Sequence, residues 1–222
     1  MAILSGEQRL AFERDGFLLV SGLIPDDVSA RAEAAIWAAM GADPSDPSTW
    51  EGKPWGSAHT HPDALAVFTP ALAEAVDELS GEPRPDAKMP ASAFAINVFP
   101  QEGEWSYPGP HIDHALEKDG FSVFPRPMRL ASLIYLTDCK RNGGATVVWP
   151  GSHVKIEALA KSDPERFRLM SALNGALGEL DLGEGVQVEG KRGDVLLYHY
   201  LCAHSGSKNV RDYPRFAFAH KW

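Results

Sequence analysis

The segment Pro110-His111-Ile112-Asp113-His114 places an imidazole and a carboxylate two residues apart. On a strand, residues i and i+2 project from one face, so His111 and Asp113 converge while Ile112 points away. One more histidine completes a two-histidine, one-carboxylate set. Such a set covers one side of a metal ion and leaves the opposite positions open, which suits an iron(II) that must take a co-substrate and O2 together. His-x-Asp tripeptides arise by chance, and a strand histidine is more often a simple hydrogen-bonding group, so the specificity has to come from context.

Of the eight histidines, His204 is the one that follows a strand introduced by Gly193-Asp194 and precedes an arginine across the turn-rich segment Ser205 to Pro214. That segment is expected to fold its flanking strands antiparallel and bring His204 and Arg215 to one site. A planar guanidinium holds a carboxylate through two parallel hydrogen bonds, as a lysine cannot, and the far carboxylate of 2-oxoglutarate is the natural ligand for Arg215. An isolated arginine would instead be read as a surface ion pair.

The remaining candidates have plainer readings. His153 follows a Pro-Gly turn and is expected in a loop; His114 has the parity opposite to Asp113 and is expected to point away. His59 and His61 form a His-x-His pair near Trp50 and Trp55, with no third ligand evident, and exposure or packing under a lid is the expectation. His199 and His220 read as satisfied sheet histidines. Gly103, Gly109, Gly143 and Gly144 are turn residues, since no helix start with Lys-Ser/Thr follows them. Trp105, Tyr107, Trp149 and Phe218 either line an apolar pocket or belong to the core, and Arg126 and Arg129 either meet an anionic substrate or offset nearby acids.

The elements that must position these groups are legible as pattern. Ser5 and Gln8 frame a capping box for a helix over Glu7 to Arg14 that Gly16 ends, and the strand Phe17 to Val20 follows. Asp26 to Met40 reads as an amphipathic helix stopped by Gly41, 43–62 as an ordered loop, and Ala64 to Leu79 as another helix. Past Pro90 short β-like runs take over at 92–99, 109–114, 129–137, 145–149, 185–189, 194–199 and 214–220, with a helical insert between Lys155 and Leu173. The expected fold class is mainly β with flanking helices, a double-stranded β-helix or jelly roll. Residues 1–222 are expected to form one domain, a helical portion 1–90 packing on a jelly-roll core 91–222.

Composition excludes several classes. With 44% hydrophobic, 23% charged and 9% aromatic residues, the 222-residue chain is of ordinary globular type. Its net charge of −9 and its lack of Lys/Arg clusters disfavour nucleic acid and anionic membranes as partners. No apolar run has the length of a signal peptide or a membrane span, and Cys139 and Cys202 are too few for a disulfide framework, so a cytoplasmic location is expected.

Several separated stretches together resemble the phytanoyl-CoA dioxygenase family of iron(II) and 2-oxoglutarate oxygenases, over almost the whole chain. Phe12-Glu13-Arg14-Asp15-Gly16-Phe17-Leu18 and Ile24-Pro25-Asp26-Asp27-Val28 are similar to its first helix and strand and to the start of its next helix. Leu136-Thr137-Asp138, Asn142-Gly143-Gly144 and Trp149-Pro150-Gly151-Ser152-His153 resemble its central strand pair and turn; Gly193-Asp194, His204, Ser205, Asn209 and Arg215 resemble its carboxyl-terminal signature. The resemblance implies that His111, Asp113 and His204 are iron ligands, that Arg215 anchors 2-oxoglutarate, and that Asn97 also contacts this co-substrate. Many relatives have serine two residues after the distal histidine, where this chain has Gly206 between Ser205 and Ser207.

The chemistry so implied is oxidative decarboxylation of 2-oxoglutarate by O2 to succinate and CO2, coupled most often to hydroxylation of a small-molecule substrate. Desaturation, epoxidation or ring closure share the same cofactors. Halogenating relatives lack the carboxylate that Asp113 supplies. The family name does not assign a coenzyme A substrate; a small apolar or amphipathic metabolite is expected, on a monomer or small homo-oligomer. Two histidines and an acid would also serve a zinc hydrolase or a metal-binding jelly roll without redox turnover.

Overall fold

The computed structural model describes residues 2–82, 89–113 and 121–222. Helix α1 (Gly6–Asp15) begins at the expected capping box, where Gln8 N–H donates to Ser5 Oγ and Ser5 N–H donates to the Gln8 side chain; it ends on Gly16 at φ +78°. Strand β1 (Phe17–Val20) and helix α2 (Asp26–Met40) follow as the pattern predicts. The expected helix over Ala64 to Leu79 is instead two, α3 (Pro62–Leu65) and α4 (Pro70–Ser80). The break is local: Pro70 cannot donate within a continuing helix, and the Thr69 hydroxyl accepts from Leu72 N–H to start a new one.

Among the described residues, nine strands form two antiparallel sheets. Beside β1 they are β2 (Gly56–His59), β3 (Ala93–Val98), β4 (Leu130–Tyr135), β5 (Thr146–Val148), β6 (Val186–Val188), β7 (Val195–His199), β8 (His204–Ser205) and β9 (Arg215–Lys221). The larger sheet has the order β1-β7-β4-β9-β3-β2 and the smaller β6-β5-β8. This is a jelly roll with flanking helices. Strand β2 lies inside the stretch expected to be a loop, because Gly-Ser-Ala-His lacks both alternation and β-branched residues. The helical insert is also split, into α5 (Ser152–Ser162) and α6 (Met170–Gly175) with a 3-10 turn after it. His153 is thus in the first turn of α5 rather than in a loop.

Parity along the larger sheet divides the molecule. Leu130, Ile134, Val195, Leu197, Phe216 and Phe218 pack outward with Ile36, Trp37, Leu72 and Val76 of α2 and α4. Their neighbours Ala131, Leu133, Tyr135, Leu196, Tyr198 and Ala217 face inward, in a cluster shared with Val147, Val148, Ile156 and Met170. Strand alternation assigns every second side chain to each side.

The expected antiparallel hairpin between His204 and Arg215 does not form. Strand β8 pairs with β5, whereas β9 pairs with β3 and β4, so the two residues belong to facing sheets. Asn209 fixes the crossing: its side-chain amide donates to Val98 O and Tyr213 O, and its carbonyl accepts from Arg211 N–H. Gly193-Asp194 is a structural corner into β7. A Cβ on Gly193, at φ +85°, would lie 2.4 Å from Ile24 O, and the Asp194 carboxylate accepts from the backbone N–H groups of Gly22 and Lys191.

Candidate metal centre

The expected strand over 109–114 is reduced to a single bridge, His111 with His204. His114 lies outside the described residues. That bridge is enough to build a site, because each residue donates its N–H to the other's carbonyl, at 2.9 and 2.8 Å, and the two rings stand 4.3 Å apart between centroids. Ile112, fully buried, donates its N–H to the Asn174 side chain of α6 and turns Asp113 back to the side of His111. Ligand atoms of His111, Asp113 and His204 all lie within 4.8 Å of one another, and no other group of three such side chains does so among the described residues.

The donor chemistry fits a metal ion. His204 Nδ1 is 3.0 Å from Cys202 O, and since a carbonyl only accepts, Nδ1 carries the proton and Nε2 presents its lone pair. That Nε2 stands 3.9 Å from Asp113 Oδ1. Tyr198, buried on the inner face of β7, packs its ring 4.8 Å from that of His204. Burial first, and then the nearby Asp113 charge, hold the Tyr198 phenol far above its ordinary pKa. It is therefore a neutral hydrogen-bond donor.

Arg215 is 2% exposed, and so is not a surface ion pair. Its Nε donates to Gly144 O at 2.9 Å, while its Nη1 is buried with no hydrogen-bond partner among the described residues. An unsatisfied buried cationic donor costs about 1–3 kcal/mol or more, so the guanidinium is a group built to receive an acceptor. A carboxylate fits it. The register Val98↔Arg215 and Ile96↔Ala217 places Arg215 on the inward face of β9.

Asn97 is not brought to this place. It pairs with Phe216, one residue out of phase with Arg215, and so faces outward, where its Nδ2 donates to Pro54 O at 3.1 Å. A cavity of about 650 Å³ lined by Trp50, Trp55, Asn97 and Phe99 lies on that side. Phe218 shares the outward parity and packs on His59, 5.8 Å between ring centroids. Trp105, Tyr107 and Trp149 instead form a chain of rings, 5.2 and 6.0 Å apart, and Trp149 lines a cavity with Pro110 and Asn174. The Ser205 and Ser207 hydroxyls, on either side of Gly206, donate to Pro108 O and Ala145 O.

The other histidines have structural partners. His59 is buried against Ser57 Oγ, and exposed His61 accepts from Asp63 N–H at the start of α3. His153 donates through Nε2 to Glu13 O and stacks 5.2 Å from His199, whose pKa burial lowers to about 4. His220 packs against Phe68 and Trp222. Arg126 and Arg129 pair with Glu82 and Asp77, so they offset acids. Both cysteines are buried free thiols. Lys221 carries a signal the sequence did not reveal: its Nζ lies 3.4 Å from Asp113 Oδ1.

A model of the family described as phytanoyl-CoA dioxygenase (PhyH) matches residues 12–217. No curated protein matches the chain. Among solved structures, the chain is similar to the non-haem α-ketoglutarate-dependent carbocyclase SnoK from nogalamycin biosynthesis, at 18% identity and TM-score 0.60, covering 97% of this chain and 82% of that one. It is similar to EctD from S. alaskensis with 2-oxoglutarate and 5-hydroxyectoine, at 20% identity and TM-score 0.61, over 98% of this chain and 75% of that one. HygX from Streptomyces hygroscopicus, with nickel, 2-oxoglutarate and hygromycin B bound, aligns at 18% identity and TM-score 0.58, over 97% and 86%. These likenesses carry the fold, and the family match carries the membership: the chain belongs to the phytanoyl-CoA dioxygenase family, the 2-oxoglutarate-dependent non-haem iron oxygenases.

Proposed function

We propose that His111, Asp113 and His204 bind iron(II), that Arg215 binds the distal carboxylate of 2-oxoglutarate, and that the chain hydroxylates a small-molecule metabolite. The observation that carries this reading is the pairing of a His-Asp-His cluster with a buried arginine whose Nη1 has no partner among the described residues, inside the same jelly roll. A zinc hydrolase or a purely structural metal site has no use for that guanidinium.

The bound iron and 2-oxoglutarate supply the oxidising chemistry, with succinate and CO2 released from the co-substrate. The protein's residues do the rest. The two histidines and Asp113 hold the ion from one side and leave the other free for ligands. Arg215 fixes the direction in which the co-substrate enters. Ala217 and Ala219, the inward residues beyond Arg215, are the small side chains of that face, and the apolar neighbours Leu133, Tyr135, Leu196 and Val147 would keep water from it. Asp113 fills the position that a halide would need, which favours oxygen transfer over halogenation.

Anaerobic addition of iron(II) and 2-oxoglutarate to the purified chain should produce a visible charge-transfer band, and His204→Ala should abolish it. Absence of the band together with absence of 2-oxoglutarate binding sinks the proposal. Solved relatives of the fold include a carbocyclase and an epimerase. Product mass separates those outcomes: gain of one oxygen for hydroxylation or epoxidation, loss of two hydrogens for desaturation or ring closure, and no change for epimerisation.

A further inference from the structure

Three residues form a row across the inner face of the larger sheet: Tyr198 on β7, Ala131 on β4 and Lys221 on β9, in direct register. Ala131, between the other two, is the small side chain of the row. From its two ends a neutral phenol and an ammonium converge on Asp113, and Lys221 Nζ reaches Oδ1 at 3.4 Å. This is the same oxygen that stands 3.9 Å from His204 Nε2. An ion held between that oxygen and that nitrogen takes the acceptor that Lys221 uses and adds a positive charge beside the ammonium.

We infer that Lys221 is the substrate-docking cation of this site, released from Asp113 when the metal binds and aimed at an anionic group, a carboxylate or its equivalent, on the molecule to be oxidised. The inference rests on the metal and co-substrate reading above. It follows from the layout of one strand face. Arg215, Ala217, Ala219 and Lys221 are the inward positions of β9, a cation at each end with two alanines between. Arg215 is sealed in the interior, while Lys221 is exposed, with 35% of its side chain open to solvent, so the second cation meets ligands arriving from outside. In a chain of net charge −9, a lysine directed inward onto the candidate metal centre is a selective feature for an anion.

The test uses the full chain loaded with nickel(II), which does not turn over, and with saturating 2-oxoglutarate so that Arg215 is occupied. Phenylacetate and phenylacetamide, equal in shape and differing in charge, are titrated against tryptophan fluorescence. Phenylacetate should bind at least ~10-fold more tightly, the scale of one charge-assisted hydrogen bond. Lys221→Met should remove that preference and Lys221→Arg should keep it, with uptake of 2-oxoglutarate retained in both and nickel held at least as tightly by Lys221→Met, where the competing ammonium is gone. Equal binding of the two probes, no binding of phenylacetate, or a preference that survives Lys221→Met overturns the inference and leaves the oxygenase reading standing. A wild-type chain that takes up neither nickel nor 2-oxoglutarate overturns both.

Discussion

The two faces of β9 use the same backbone for opposite ends. Outward, Phe216 and Phe218 are fully buried, and Phe216 sits 4.7 Å from the Trp37 ring, filling the space under α2 with large rigid rings. Inward, the strand offers two alanines and two cations, one of them with a buried donor that has no partner among the described residues. Aromatic burial stabilises the sheet against its helices, and that stability tolerates an inner face which withholds volume and leaves polarity unmet. The outer face sustains the fold, and the inner face carries the groups proposed to hold ligands.

Substitutions on each face should separate cleanly. Phe216→Ala should lower unfolding stability by about 3–5 kcal/mol in denaturant titration, the range for a buried phenylalanine, while the folded fraction keeps its affinity for 2-oxoglutarate. Loss of that affinity in the folded fraction would break the division. Arg215→Leu should do the reverse: affinity for 2-oxoglutarate falls by about 100-fold in calorimetry, and the melting temperature holds or rises because an unsatisfied buried cation is gone. The smallest effect belongs to Asn97→Ala. Being on the outward face, it should change 2-oxoglutarate affinity by less than about twofold, within the range of a substitution remote from the contact.

The same parity decides what was legible in the sequence. The convergence of His111 and Asp113 was legible from an i, i+2 rule although no regular strand forms there, because a single bridge to His204 is enough to hold the two side chains near each other. Arg215 was singled out for its offset from His204, but by way of a hairpin that does not form. Jelly-roll connections carry the chain from one sheet to the facing one, and a turn-rich segment has the same composition in either case. Asn97 was misplaced by one residue of phase, which is all that separates the two faces of β3. Tyr198 was hidden in Val195-Leu196-Leu197-Tyr198, a continuous apolar run that shows no alternation when a strand is buried on both sides. Lys221 was hidden because a lone lysine near a strand end has no periodicity to betray its direction.

The backbone bridge between His111 and His204 has a mechanical consequence. Two of the three proposed ligands, His111 and His204, are tied by reciprocal N–H to carbonyl bonds, so their backbones cannot part without breaking both. Asp113, two residues beyond the bolt, has no such tie through its own backbone among the bonds described. The centre therefore resembles a vice with one fixed jaw and one sliding jaw: differences in ionic radius or coordination are absorbed by the carboxylate, while the imidazole pair keeps its aim with or without an ion.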